Sequence, residues 1–118
     1  MKRLTHLTRK PWGKFVDLAE HKGKWHVKAL AIKKGHRLSL QRHRLRSELW
    51  VVAEGNIQVQ KGRKRFVLKP QQTIFIRKNE NHRIEAITDA VVIEVTFGTH
   101  QEKDIERLSD DYGRKKSR

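Results

Sequence analysis

The 118-residue sequence contains no cysteine. That excludes a disulfide framework and any thiolate metal site, leaving histidine, carboxylate and amide oxygen as the only side chains able to hold a metal. Long apolar runs are also absent. None approaches the length that spans a bilayer, and Met1-Lys2-Arg3-Leu4 has none of the apolar stretch of a secretory signal, so a cytoplasmic protein without a membrane segment is expected. Acidic residues are few, 13 against 28 lysines and arginines, for a net charge of +15. A chain this basic attracts nucleic acid, acidic surfaces or phosphorylated substrates. Aromatic residues make up only 7% and scarcely enter the basic clusters at 42–46, 61–65 and 114–118. Without interleaved stacking residues, nucleic acid is not the expected partner.

What the chain does have is patterned apolar sequence of a length suited to one domain. Alternation starts at Phe15-Val16-Asp17-Leu18, after the break at Pro11-Trp12-Gly13. Strand-like segments follow at 25–32, 39–43, 49–53, 57–60, 65–68, 73–76, 82–86 and 91–97, separated by glycines and polar turns. This spacing predicts an all-β sandwich or barrel. Gly55-Asn56 is expected to close a hairpin between 51–53 and 57–59, and 61–64 to form a second turn. The expected organisation is a basic arm over 1–10, the folded domain over 11–108 with a short helix over 102–108, and a basic tail over 109–118. Trp12, Trp25 and Trp50 are expected as core or interface anchors.

One stretch concentrates chemistry. Gly35 is followed by Gln41, His43, Glu48 and Gly55. Gln41 and His43 lie two apart, so on a strand they share a face, and a turn through 44–47 brings Glu48 back beside them. This is similar to the first cupin motif, and His82, after Ile74-Phe75-Ile76 and a polar turn, resembles the histidine of the second. Gln41, His43, Glu48 and His82 are therefore the expected ligands of one divalent ion, with Zn, Mn, Co, Ni and Fe all compatible.

Further residues carry a family resemblance. Lys10-Pro11-Trp12-Gly13, Leu38-Ser39-Leu40-Gln41-Arg42-His43, Arg46-Ser47-Glu48-Leu49-Trp50-Val51-Val52, His82-Arg83 and Asp110-Asp111-Tyr112-Gly113-Arg114 together resemble the type II mannose-6-phosphate isomerase domain. The resemblance implies a cupin, a double-stranded β-helix or jelly-roll barrel, and the interconversion of mannose 6-phosphate and fructose 6-phosphate through an enediolate. It also implies a link to guanylyltransferase, since this domain usually forms the C-terminal part of a bifunctional protein. A separate guanylyltransferase is then an expected partner, beside the sugar phosphate. Arg46 matches the arginine of the family's first motif and is expected to act on the intermediate or the phosphate, helped by Arg114.

The sequence departs from the family pattern at Leu45 and Leu49, where histidines are usual, and 77–82 lacks the usual proline and glycine. Asn79 retains the capacity for a left-handed turn. Two proton-transfer groups are thus expected to be missing, and Glu94, which shares a strand face with Thr96, is the expected base if it points inward. Turned outward, it would be a solvated carboxylate. Three readings follow: an isomerase, a non-catalytic sugar-phosphate-binding or accessory cupin, and a basic nucleic-acid-binding barrel. An exposed sheet edge on so small a chain makes a homodimer the expected assembly.

Overall fold

Short segments with apolar residues on one face bury them only by setting two sheets face to face. A computed structural model of the chain describes residues 2–99 and 104–113. The strands among them are β1 (Lys2–Lys10), β2 (Gly13–His21), β3 (Trp25–Ile32), β4 (Leu40–His43), β5 (Arg46–Glu54), β6 (Ile57–Lys61), β7 (Lys64–Leu68), β8 (Thr73–Ile76), β9 (His82–Ala86), β10 (Ala90–Gly98) and β11 (Ile105–Ser109). They form a six-stranded sheet in the order β1-β2-β3-β10-β5-β8 and a five-stranded sheet in the order β11-β4-β9-β6-β7, antiparallel throughout. The all-β expectation is met.

Register decides where polar and apolar side chains collect. Across β3, β10 and β5 the ladder aligns His26–Thr96–Glu48, then Lys28–Glu94–Trp50, then Leu30–Val92–Val52. These residues alternate with outward ones, so one end of the inner face is polar and the other apolar. The apolar end joins Ile57, Val59, Ile76 and Ile84 in a core where each is at most 1% exposed. Burying each such side chain contributes about 1.5–3 kcal/mol. The polar end becomes a cavity.

Three local expectations are corrected. Residues 2–10, expected as an arm ahead of the fold, form β1 and pair with β2, because a sheet edge leaves backbone donors and acceptors that a neighbouring strand satisfies. In place of a helix over 102–108, residues 105–109 form β11 against β4. Arg42 Nε donates to Glu106 across that pair at 2.9 Å, and the Asp104 carboxylate accepts from the Arg44 and Leu45 amides, both at 3.0 Å. Non-local pairing overrides the weak propensity of so short a helix; residues 102 and 103 lie outside the described residues.

The third correction concerns Gly55-Asn56, where the chain crosses between the sheets instead of closing a hairpin. Gly55 has φ +77°, and a Cβ there would lie 2.1 Å from the Asp89 carbonyl oxygen, so this corner demands glycine. The hairpin partner of β6 is β7, closed by the expected turn at 61–64 with Lys61 opposite Lys64.

Candidate metal centre

Three strands each bring one side chain to the polar end of the barrel. His43 ends β4, Glu48 lies on β5 in the opposing sheet, and His82 begins β9. The expected convergence therefore occurs across the gap between sheets and not round a hairpin. Ligand-capable atoms of the three lie within 4.8 Å of one another, and each residue is at most 3% exposed. His43 Nε2 is 3.3 Å from Glu48 Oε2, and His82 Nε2 is 3.9 Å from Glu48 Oε1. The turn before β9 delivers His82: Asn79 adopts the left-handed conformation at φ +64°, and its amide donates to the His43 carbonyl at 2.6 Å. His82 Nδ1 lies 2.8 Å from the Glu80 carbonyl. That carbonyl holds the ring proton on Nδ1 and leaves the Nε2 lone pair for the cluster, as in histidine metal ligands.

Electrostatics favour the same protonation states. Burial lowers His43 to about 3, against the pull of Glu48, with Arg46 and His82 adding to the depression. Burial likewise lowers His82, which Glu48 and the Glu80 carbonyl only partly offset. For Glu48 burial acts upward, but His82, His43 and Arg46 together outweigh it and hold the carboxyl at about 2. Two neutral imidazoles and one ionised carboxylate are a donor set that fits a divalent cation. Two further groups brace Glu48: Trp50 Nε1 donates to Oε1 and Arg46 Nε to Oε2, both at 3.1 Å. Arg46 Nη2 sits 3.2 Å from His43 Nε2, while its buried Nη1 has no hydrogen-bond partner among the described residues.

The cluster borders a partly open cavity of about 60 Å³. Gln41 lines it beside its ladder partner His82, with Nε2 donating to Ser39 Oγ at 2.8 Å. Glu94 points inward and also lines it; Lys28 Nζ lies 3.8 Å from Glu94 Oε2, and Lys28 sits 4.3 Å above the Phe15 ring. Burial, reinforced by Glu48, raises Glu94 to about 7 despite Lys28 and Arg46. Thus Gln41, Arg46, Glu48, His82 and Glu94 meet at one cavity, with His43 behind its wall against Glu48 and Arg46. Arg114 lies outside the described residues.

Leu45 and Leu49 are not part of the cavity lining. Leu45 is 48% exposed on the β4–β5 turn, and Leu49 alternates with Glu48 and Trp50, facing the other side of β5. The two positions where the family usually carries histidine therefore lie outside this cavity's lining. Sequence reasoning also missed Lys10, Lys28, Arg83 and Arg107, all in the lining. Lys28 was recoverable, since it shares the inward face of β3 with His26 and Leu30. Lys10 and Arg107 were hidden because the strands carrying them were read as an arm and a helix. Arg83 breaks alternation: it is buried next to buried His82 and Ile84, held by the Leu38 and Ser109 carbonyls at 2.8 and 3.2 Å.

Comparison with known proteins decides the family. The pattern of the family described as "Mannose-6-phosphate isomerase C-terminal" matches residues 2–110. The chain belongs to this family. Among curated relatives, the alginate biosynthesis protein AlgA of Pseudomonas aeruginosa is 40% identical over 108 residues, covering 89% of this chain and 22% of its own length. The xanthan biosynthesis protein XanB of Xanthomonas campestris is 34% identical over 110 residues (89% and 23%), and a mannose-1-phosphate guanylyltransferase of Escherichia coli is 33% identical over 108 residues (89% and 23%). This member of the mannose-6-phosphate isomerase C-terminal family thus spans under a quarter of the length of these relatives.

Solved structures agree on the fold. An RmlC-like cupin from Shewanella frigidimarina superposes with a TM-score of 0.76 at 21% identity, covering 83% of this chain and 86% of that one. KdgF from a Halomonas species gives 0.76 at 15% identity (82% and 89%). The family's C-terminal domain is, in this chain, a cupin.

Proposed function

We propose that this cavity interconverts mannose 6-phosphate and fructose 6-phosphate, in cytoplasmic supply of precursors for sugar nucleotides and polysaccharides. The observation that carries the reading is a buried His43–Glu48–His82 cluster, of which Glu48 and His82 line one cavity with the inward carboxylate of Glu94. His43, Glu48 and His82, with Gln41 as a further donor, would hold one divalent ion (Zn, Mn, Co, Ni or Fe), which would supply Lewis-acid polarisation of the sugar oxygens.

The chain's own groups do the rest. Glu94, raised to about 7, is matched to accepting and returning a proton near neutral pH. It takes the proton from C2 of the open-chain aldose; the C2–H electron pair becomes the C1–C2 double bond, and the negative charge moves to the C1 oxygen. The spare Nη1–H of Arg46 donates to that developing charge. Return of the proton from Glu94 to C1, with transfer of the O2 proton to the C1 oxygen and formation of the C2 carbonyl, completes the ketose. The chain's net charge of +15 favours a phosphorylated substrate.

A second reading is a non-catalytic sugar-phosphate-binding cupin accessory to a separate guanylyltransferase, since one relative bears the name mannose-1-phosphate guanylyltransferase. The deciding assay is conversion of mannose 6-phosphate by the purified protein, with metal content measured on the same sample. Turnover that Glu48→Gln abolishes supports the isomerase. Bound metal and bound sugar phosphate without turnover supports the accessory reading.

A further inference from the structure

Aldose-ketose interconversion moves two protons, one from C2 to C1 and one from the C2 oxygen to the C1 oxygen. Glu94 serves the first. The second needs a group able both to give and to take a proton. Among the described residues lining the cavity, Arg46, Arg83 and Arg107 cannot do this, because a guanidinium does not deprotonate in a protein. Glu48 and His82 belong to the candidate metal centre, and the Ser39 hydroxyl accepts from Gln41. Lys10 comes from β1, three strand spacings from β10 and so roughly 14 Å away. Lys28 stands beside Glu94.

Strand register makes this pair. Lys28 on β3 is the ladder partner of Glu94 on β10, and both line the cavity. Nζ lies 3.8 Å from Glu94 Oε2, with the two side chains 13% and 7% exposed. The Phe15 ring, 4.3 Å from the ammonium, supports it from the side of β2. Two groups so close address neighbouring atoms of one substrate, and their charges are coupled. An ionised Glu94 attracts the ammonium. Once Glu94 has taken the carbon proton it is neutral, and that hold is released as negative charge appears on the C1 oxygen.

We propose that Lys28 is a catalytic residue that carries the oxygen-bound proton, donating from Nζ to the C1 oxygen of the enediolate and then accepting the C2 hydroxyl proton. In the second step the O2–H electron pair becomes the C2–O double bond, and the C1–C2 π pair takes the Glu94 proton at C1. Lys28 ends as an ammonium and Glu94 as a carboxylate, as both began. This role rests on the isomerase reading.

The test follows mannose 6-phosphate in heavy water with the metal-loaded full chain as wild type, Lys28→Met and Lys28→Arg. Nuclear magnetic resonance reads fructose 6-phosphate formed and deuterium at C2 of the recovered aldose, and metal content and melting temperature are recorded for each protein. Lys28→Met keeps a stem over Phe15 but removes the proton carrier. Its turnover is expected to fall about 10²- to 10⁴-fold at unchanged metal content while C2 deuteration continues, so deuterium per ketose formed rises. A structural fault lowers both together. Lys28→Arg keeps the charge without the proton exchange and is expected to stay slow. Wild-type turnover in Lys28→Met, deuteration that falls in step with turnover, or full activity in Lys28→Arg overturns the proposal and leaves the isomerase reading standing. Absence of both turnover and deuteration in wild type overturns that reading, and the role of Lys28 with it.

Discussion

Glu48 is the residue on which the candidate metal centre turns, because it faces both histidines and neutralises Arg46 inside the barrel. Glu48→Gln keeps the volume and removes the charge, leaving Arg46 buried without its counter-ion. We expect loss of bound metal by elemental analysis and a destabilisation of about 3–5 kcal/mol in denaturant titration. Retained metal would sink the ligand assignment. Glu94→Gln addresses a different role: turnover should fall about 10²- to 10⁴-fold while metal content stays at the wild-type level. Leu45→His and Leu49→His, which restore family histidines outside the cavity, should leave turnover unchanged. An increase in either would show that a proton-transfer group works from that side of β5.

At the scale of elements, the site depends on the β5–β6 corner, which carries the chain between sheets, while the β6–β7 turn stays within one. Gly55 and Gly62 both have positive φ, +77° and +61°, but only Gly55 faces a crowded backbone, with the Asp89 carbonyl where a Cβ would be. Gly62→Ala should cost about 1–2 kcal/mol, the price of a left-handed non-glycine residue. Gly55→Ala should cost clearly more in the same urea titration; equal costs would mean that the β5–β6 corner yields without strain. β7 is an edge strand that exposes Phe66 and Val67, at 38% and 56%. We infer that a second copy pairs there, and Val67→Lys should shift a dimer to monomer in sedimentation analysis. A wild-type monomer across the concentration range would exclude it.

Over the whole molecule, buried histidines set the response to acid. Burial lowers His26, which faces Asp17 at 2.9 Å, and also His43 and His82. Each stays neutral in the fold where the unfolded chain takes up a proton, so each contributes stability that is lost as pH falls below about 6.5. Glu94 works in the opposite sense: raised to about 7, it favours the folded state on acidification from there to about 4.5. Three groups oppose one. The melting temperature of chelator-treated protein should therefore fall between pH 6.5 and 4.5, and Glu48, held at about 2, adds to the loss below that range. A flat or rising profile on acidification to pH 5 would contradict these assignments.

Much of this was legible in the amino-acid order because it rests on local rules. Period-two alternation marked out β3 to β10, the spacing of Gln41, His43 and Glu48 singled out that cluster, and Asn79 carried the left-handed turn its side chain tolerates. What alternation cannot specify is which strand lies beside which. Only the tertiary structure put β4 and β5 in opposite sheets, turned Leu49 away from Glu48, and recruited β1 and β11 to the edges that bring Lys10 and Arg107 to the cavity. Those placements come from long-range backbone pairing and the closure of one sheet on the other, whose free energy belongs to no single segment.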